Sequence, residues 1–328
     1  MQRLPLIPQP RVVVSRFAKL AVATVAATLL LIVLGGLVRA TGSGLGCPDW
    51  PGCYGKVLPP SGNSRAWIEH IHRYWASVVI ALLVWLAVEA RRSAQPLAVR
   101  RLTLFGLLPV VLAQAALGAV VVWIKLHWVS VSGHLTLALL ILGLATWVAV
   151  DALRREGILR VPPFAPGSVR LARVSAATAG LVFVQMILGS MVTGFGAGMA
   201  YGTFPSFNGK AIPQFDSGLV FRQSLQVGHR LVAYALLAMI VALLLRSRGA
   251  GVDLVVRRCA ELATALVVVQ ILLGALNVWW GLRAWSVVPH MLVGATLWTA
   301  LVVVSVRAKW QAAAPAGVTD ERISVRAQ

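Results

Sequence analysis

Eight stretches of this chain, at about 20–38, 67–88, 102–123, 131–150, 172–192, 223–245, 259–280 and 286–306, run almost without charge. A helix of about 20 residues spans the ~30 Å hydrocarbon layer of a bilayer. Inside that layer every backbone N–H and C=O must be paired within the protein, so runs of this kind fold as helices. Composition agrees, because 59% of the 328 residues are hydrophobic and only 12% are charged. A soluble domain carries about a quarter charged residues. The sequence therefore predicts an all-α integral membrane protein with eight transmembrane helices.

A formal net charge of +20 invites a nucleic-acid partner. The basic residues argue against one, since they form short clusters between the apolar runs rather than a continuous face. Cytoplasmic loops collect Lys and Arg. With the N-terminus inside, 21 of the 30 lysines and arginines fall before the first run, in 91–101, 154–173 and 246–258, and after 306. The other nine, among them Arg39, Lys56, Arg65, Lys125, Lys210 and Arg283, lie outside or at outer helix ends. This asymmetry predicts a multi-pass protein bathed in membrane lipid with both termini cytoplasmic. The abundance of Ala, Val and Arg points to a bacterial plasma membrane, with a mitochondrial inner membrane as the alternative.

The outer segments alternate long, short, long, short, which suggests a duplicated four-helix unit. Residue patterns repeat accordingly. The odd helices carry Leu34-Gly35, Gln114-x-x-Leu117-Gly118, Gln185-x-x-Leu188-Gly189 and Gln270-x-x-Leu273-Gly274, and the even helices carry His72, His134, His229 and His290 near their outer ends. His72 and His229 are 157 apart, His134 and His290 are 156 apart, and Gly118 and Gly274 are also 156 apart. The expected architecture is two tandem pseudo-symmetric four-helix bundles, residues 1–160 and 161–328.

Imidazoles inside a membrane bundle mark a ligand, a metal or a proton path. Two of them on facing helices at one depth make a bis-histidine cage for a haem iron. A proton relay is the competing reading. Zinc is a poorer fit, because two histidines without a third ligand leave a tetrahedral site incomplete. The glycines read as places where a neighbouring helix or a flat ligand approaches closely, and Gln114, Gln185 and Gln270 as interhelical packing groups. Glu69 and His72 are three apart and share a helix face. His70 and His127 fall outside the repeat and read as solvated or headgroup-facing. Cys259 reads as a small apolar residue.

Four features together resemble the haem A synthase family. They are the Gly36-Leu37-Val38-Arg39-Ala40-Thr41-Gly42-Ser43-Gly44 exit of the first helix, the following Cys47-Pro48-Asp49-Trp50-Pro51-Gly52-Cys53, the Glu69-x-x-His72-Arg73 turn, and the four registered histidines. The resemblance runs from about Leu20 to Val306. It implies oxidation of a methyl group of haem O to a formyl group, with O2 and electrons, for assembly of haem–copper oxidases. It assigns a haem b cofactor to His229 and His290, and it makes His72 and His134 candidate axial ligands of the substrate haem O iron. Glu69 matches the family's catalytically important carboxylate. Cys47 and Cys53 match its outer-loop pair, for which a disulfide is expected in an oxidising compartment. Some relatives carry a second pair, but this chain has no cysteine between Thr193 and Arg222, and it has Gln226 where the repeat places Glu69.

The resemblance further implies delivery of haem O by a haem O synthase, an electron donor, and room for a homo-oligomer. Arg73 and Arg230 fit either haem propionates, which guanidinium grips bidentately, or interfacial snorkelling. Two rival functions share the histidines. A di-haem b electron carrier needs them but requires neither Glu69 in the first half alone nor the cysteine loop. A transporter built on repeats would place its polar groups nearer the midplane.

Overall fold

A computed structural model describes residues 14–93 and 95–315. Arg3, Arg11, Arg322 and Arg326, counted above toward the inner side, lie outside the described residues. Eight helices long and apolar enough to cross a membrane follow one another: α1 Arg16–Ala40, α2 Ser64–Arg92, α3 Leu97–Trp123, α4 Trp128–Arg155, α5 Ser168–Gly194, α6 Val220–Ser247, α7 Leu254–Trp279 and α8 Ala284–Ala312. Each corresponds to one apolar run, extended by a few residues. The extensions have a physical cause. Capping side chains set several starts, with Ser15, Asn63 and Asp253 accepting from the N–H groups of Ala18, Ala66 and Val255. Basic residues prolong the opposite ends, where Arg91, Arg92, Arg154, Arg155, Arg246 and Lys309 complement the helix dipole. One local feature is not visible in the apolar pattern: α3 widens into a π-helix over Leu102–Leu107.

The helices close into two rings. In the first, α1 and α3 each pack against both α2 and α4; in the second, α5 and α7 each pack against both α6 and α8. The histidine-bearing helices of each ring therefore stand diagonally across it. Away from the histidines, each ring is filled by apolar side chains, including Phe17, Leu83, Leu86, Val111 and Val148 in the first and Leu171, Ile240, Leu243, Val256 and Leu301 in the second. The rings meet where α1 and α4 contact α8 and where α4 contacts α5. Ile32, Leu139, Leu142 and Ala295 are buried at that seam. Trp298 lies over Gly143, where an added Cβ would stand 3.0 Å from its ring, and donates its Nε1–H to the Leu139 carbonyl at 3.0 Å.

The segment joining the rings is tied down by one fully buried cation. The Arg307 guanidinium pairs with Asp253 at 2.6 Å and donates to the carbonyls of Leu159 and Arg160 at 2.9 and 2.7 Å. Removing one member of a buried pair leaves an uncompensated charge, at a cost of about 3–5 kcal/mol. Asp253→Ala should therefore lower the thermal unfolding midpoint of the detergent-solubilised protein by many degrees. Glu261→Ala, which removes the partner of the exposed Arg257 and Arg258, should leave that midpoint nearly unchanged.

Candidate functional site

Each histidine leans on a glycine of the preceding helix. A Cβ placed on Gly35 would stand 3.2 Å from Cε1 of His72; on Gly118, 3.2 Å from Cε1 of His134; on Gly189, 3.0 Å from Cε1 of His229; on Gly274, 3.5 Å from Cε1 of His290. The same ring edge meets the same motif position four times. Three of these gaps are too narrow for an alanine without displacing the imidazole, which explains why the repeat keeps glycine there. Within each ring the two histidines stand on diagonal helices, His72 opposite His134 and His229 opposite His290. Carbonyls one turn before the glycine flank three of them, from Leu31, Gln114 and Gln270. The fourth is secured through its backbone, with Gln185 donating to the His229 carbonyl at 2.8 Å.

These residues fit a flat macrocycle held between two imidazoles. The bearing helices stand diagonally, with the ring core between them. The Nδ1 atoms of all four are buried; an imidazole that ligates through Nε2 keeps its Nδ1–H for a carbonyl, and Leu31, Gln114 and Gln270 place one beside three of them.

Above each histidine pair lies a long interhelical loop, and the two loops share one backbone plan. Residues 42–56 superpose in sequence on 196–210 at an offset of 154. Both contain a cis X-Pro bond, Trp50–Pro51 and Phe204–Pro205. Both turn through a left-handed residue followed by glycine, Tyr54-Gly55 and Asn208-Gly209. Both close with a two-residue bridge, Cys53 to Lys56 and Phe207 to Lys210. The signal for this repeat was present in Pro51-x-x-x-Gly55-Lys56 and Pro205-x-x-x-Gly209-Lys210. It is weaker than the histidine register because the residues between differ in chemistry. Cys47 and Cys53 form the expected disulfide. At their repeat positions Tyr201 and Phe207 pack edge to face, with centroids 5.1 Å apart. In the first loop Asp49 accepts from the N–H groups of Tyr54 and Gly55 at 2.6 and 2.7 Å, chiefly the latter holding its carboxyl below the usual carboxylate range.

The first turns of α2 and α6 clamp these loops from below. Glu69, 4% exposed, accepts from the Cys47 N–H at 2.8 Å and pairs with Arg73 at 2.5 Å. Arg73 also donates to the carbonyls of Asp49 and Gly52 at 2.8 and 2.7 Å. In the second half Gln226 accepts from the Tyr201 N–H at 2.7 Å and donates to the Gly198 carbonyl at 2.7 Å. Arg230 donates to the carbonyls of Thr203 and Ser206 at 2.9 and 3.2 Å, its guanidinium lying over Phe204 and Phe207.

Glu69, on the same helix face as His72, makes no hydrogen bond to it; its oxygens serve Cys47 and Arg73. Arg73 and Arg230 donate to loop carbonyls. His70 is not solvated: it is 3% exposed, because the loop folds over it. His127, by contrast, is exposed at the start of α4. Of the three glutamines read as packing groups, Gln185 makes the interhelical bond already described. The side-chain oxygens of all three are buried without a partner.

Residues 18–302 match the model of the COX15-CtaA family, described as cytochrome oxidase assembly protein. The chain is similar to a protein named "Heme A synthase" from Granulibacter bethesdensis, 29% identical over 84% of this chain and 82% of that relative. A protein of the same name from Shewanella oneidensis is 26% identical over 86% of this chain and 93% of its own length. One from Paracoccus denitrificans is 29% identical over 76% of each.

The clamp makes a checkable distinction between charge and shape. Glu69→Gln copies the residue that does the same task at Gln226, so it should keep the Cys47 amide slow to exchange with deuterium. Glu69→Ala removes the acceptor, so that amide should exchange faster and the loop should be cut sooner by protease. Equal exchange in the two variants would show that Glu69 does not hold the loop.

Proposed function

Because the chain belongs to the COX15-CtaA family of cytochrome oxidase assembly proteins, we propose that it is a haem A synthase, an oxidoreductase that converts haem O to haem A. The observation that carries this reading is the pairing of imidazoles across each helix ring, every one seated against a glycine backbone. In this reading residues 1–160 are the half that would receive haem O, held by His72 and His134, and residues 161–328 the half in which His229 and His290 would hold haem b. The asymmetry between the halves supports the division: only the first has a carboxylate at the loop clamp and a cysteine pair above it. A di-haem b electron carrier has no use for that difference, which favours the synthase.

The reaction turns a methyl carbon into a formyl group. Two hydroxylations, each consuming O2, two electrons and two protons and releasing water, take the methyl to a geminal diol, which loses water to give the aldehyde. Haem b, when bound, supplies one-electron transfer between an external donor and the substrate half. The protein supplies position and dryness. Gly35 and Gly118 seat the imidazoles of His72 and His134, the residues that would hold the substrate haem. Glu69 and Arg73 hold the cysteine loop down over that half, closing the site to water. In this reading Glu69 is a positioning residue, acting through Cys47. Arg230 and Gln226 do the same for the second loop.

The chain is a multi-pass membrane protein, placed by this reading in a bacterial plasma membrane with both termini cytoplasmic. The histidines and long loops then lie toward the outer face. Haem O would arrive within the bilayer from a haem O synthase.

Three measurements test the reading. Expressed in a host that makes haem O but no haem A, the wild type should yield haem A on pigment extraction; haem b alone would instead identify an electron carrier. His229→Ala should abolish the haem b absorption of the purified protein, and Gly189→Ala should weaken it more than Gly274→Ala, whose Cβ has more room. A phosphatase reporter that works only outside the cytoplasm should be active when inserted at Gly62 and silent after Ala312.

A further inference from the structure

The proposed reaction assigns no chemical step to three donor groups where the first loop meets α2. The sulfurs of Cys47 and Cys53 and the ring nitrogens of His70 converge so that one ligand atom from each lies within 4.8 Å of the others. All three residues are buried. Neither nitrogen of His70 has a hydrogen-bond partner, and the ring packs edge-on against Tyr74 at 4.2 Å. An imidazole buried with both nitrogens unpaired calls for an explanation.

The internal repeat shows that the loop's fold does not demand these donors. The second loop keeps the proline, the left-handed turn and the bridge, yet it has Tyr201, Phe207 and Val227 at the three positions. All three metal-binding groups are replaced together by groups that bind no soft metal. The set is present as a whole in one half and absent as a whole in the other.

We propose that the reduced form of Cys47 and Cys53, together with His70, is a buried three-coordinate site for Cu(I). The disulfide is the closed state of this site. A dithiol reductant opens it: two electrons and two protons pass to the S–S bond, giving two thiols here and a disulfide on the reductant. Cu(I) then displaces the two thiol protons and gains two Cu–S bonds, and a His70 nitrogen completes the set. Soft thiolate ligands select Cu(I) or Zn(II). Three buried donors suit Cu(I) better, because Zn(II) takes a fourth ligand, water where the protein offers three. Sulfur and nitrogen ligands sit about 2.3 and 2.0 Å from such ions, so donors within 4.8 Å of one another can share one ion once the S–S bond is broken and the two sulfurs part. The hydrogen bond from the Cys47 N–H to Glu69 keeps Cys47 tied to α2 beside His70.

The test uses the full-length protein with its haem, in detergent and without air. One sample is reduced with a phosphine and desalted; the other is left oxidised. Each is offered Cu(I) held by bicinchoninate. The reduced protein should withdraw one Cu(I) per chain and the oxidised protein none, and X-ray absorption should find two sulfurs and one nitrogen on the metal. His70→Ala should weaken retention by more than roughly tenfold, since losing even a supporting partner of a ligand costs that much. Cys259→Ser, which changes the remaining thiol, should leave uptake unchanged. Equal uptake by the reduced and oxidised wild type, a copper with no nitrogen ligand, or loss of uptake in Cys259→Ser would overturn the proposal. The first comparison needs no variant, so misfolding cannot obscure it.

Discussion

The contact between an imidazole edge and a bare glycine backbone organises this protein. A histidine ring is wide, and two helices carrying ordinary side chains at their crossing would force it aside. Glycine on the odd helix lets the even helix's ring sit flat against the main chain. Because this happens four times with the same ring edge, all four imidazoles have their orientation fixed by backbone, the least deformable partner available. Helix order then does the rest: the helices bearing each pair stand diagonally, leaving the ring core between them for a flat ligand.

The loops are the second layer of the same plan. Two arginines, the half-buried Arg73 and the buried Arg230, reach upward from the helices that carry His72 and His229 and collect loop carbonyls. A neighbouring acceptor one turn earlier, Glu69 or Gln226, takes the loop's N–H. Loop position and histidine position are thus set by the same first turns of the same helices. Duplication preserved the clamp while the chemistry above it diverged. One loop is closed by a disulfide beside a histidine, the other by an aromatic pair over which an arginine lies.

The mapping from sequence to site is uneven for physical reasons. Helices and histidine spacing were readable because bilayer thickness imposes a length and duplication imposes an offset, and both survive in one dimension. The seating of His72 against Gly35 was half readable: the glycines stood out, but a flat ligand and a neighbouring helix were equally good reasons for them. His70 was misread as solvated because its neighbours in sequence do not bury it; a loop 17 to 23 residues earlier does. Glu69 shared a face with His72 as expected, yet its hydrogen bonds go to Arg73 and to Cys47, 22 residues away in the chain. The π-helical stretch of α3 carries no periodic signal at all.

Sequence by itself determined that the chain is an eightfold membrane spanner, that it is duplicated, and that four imidazoles recur in step. Those properties follow from burying backbone in hydrocarbon and from counting along one chain. Only the tertiary structure decided which groups touch: that the carboxylate at the mouth of α2 holds a loop, that the arginines grip carbonyls, and that a histidine outside the repeat is sealed against a cysteine pair. Hydrogen bonds and burial depend on what folds over a residue from elsewhere in the chain, and no local spacing records that.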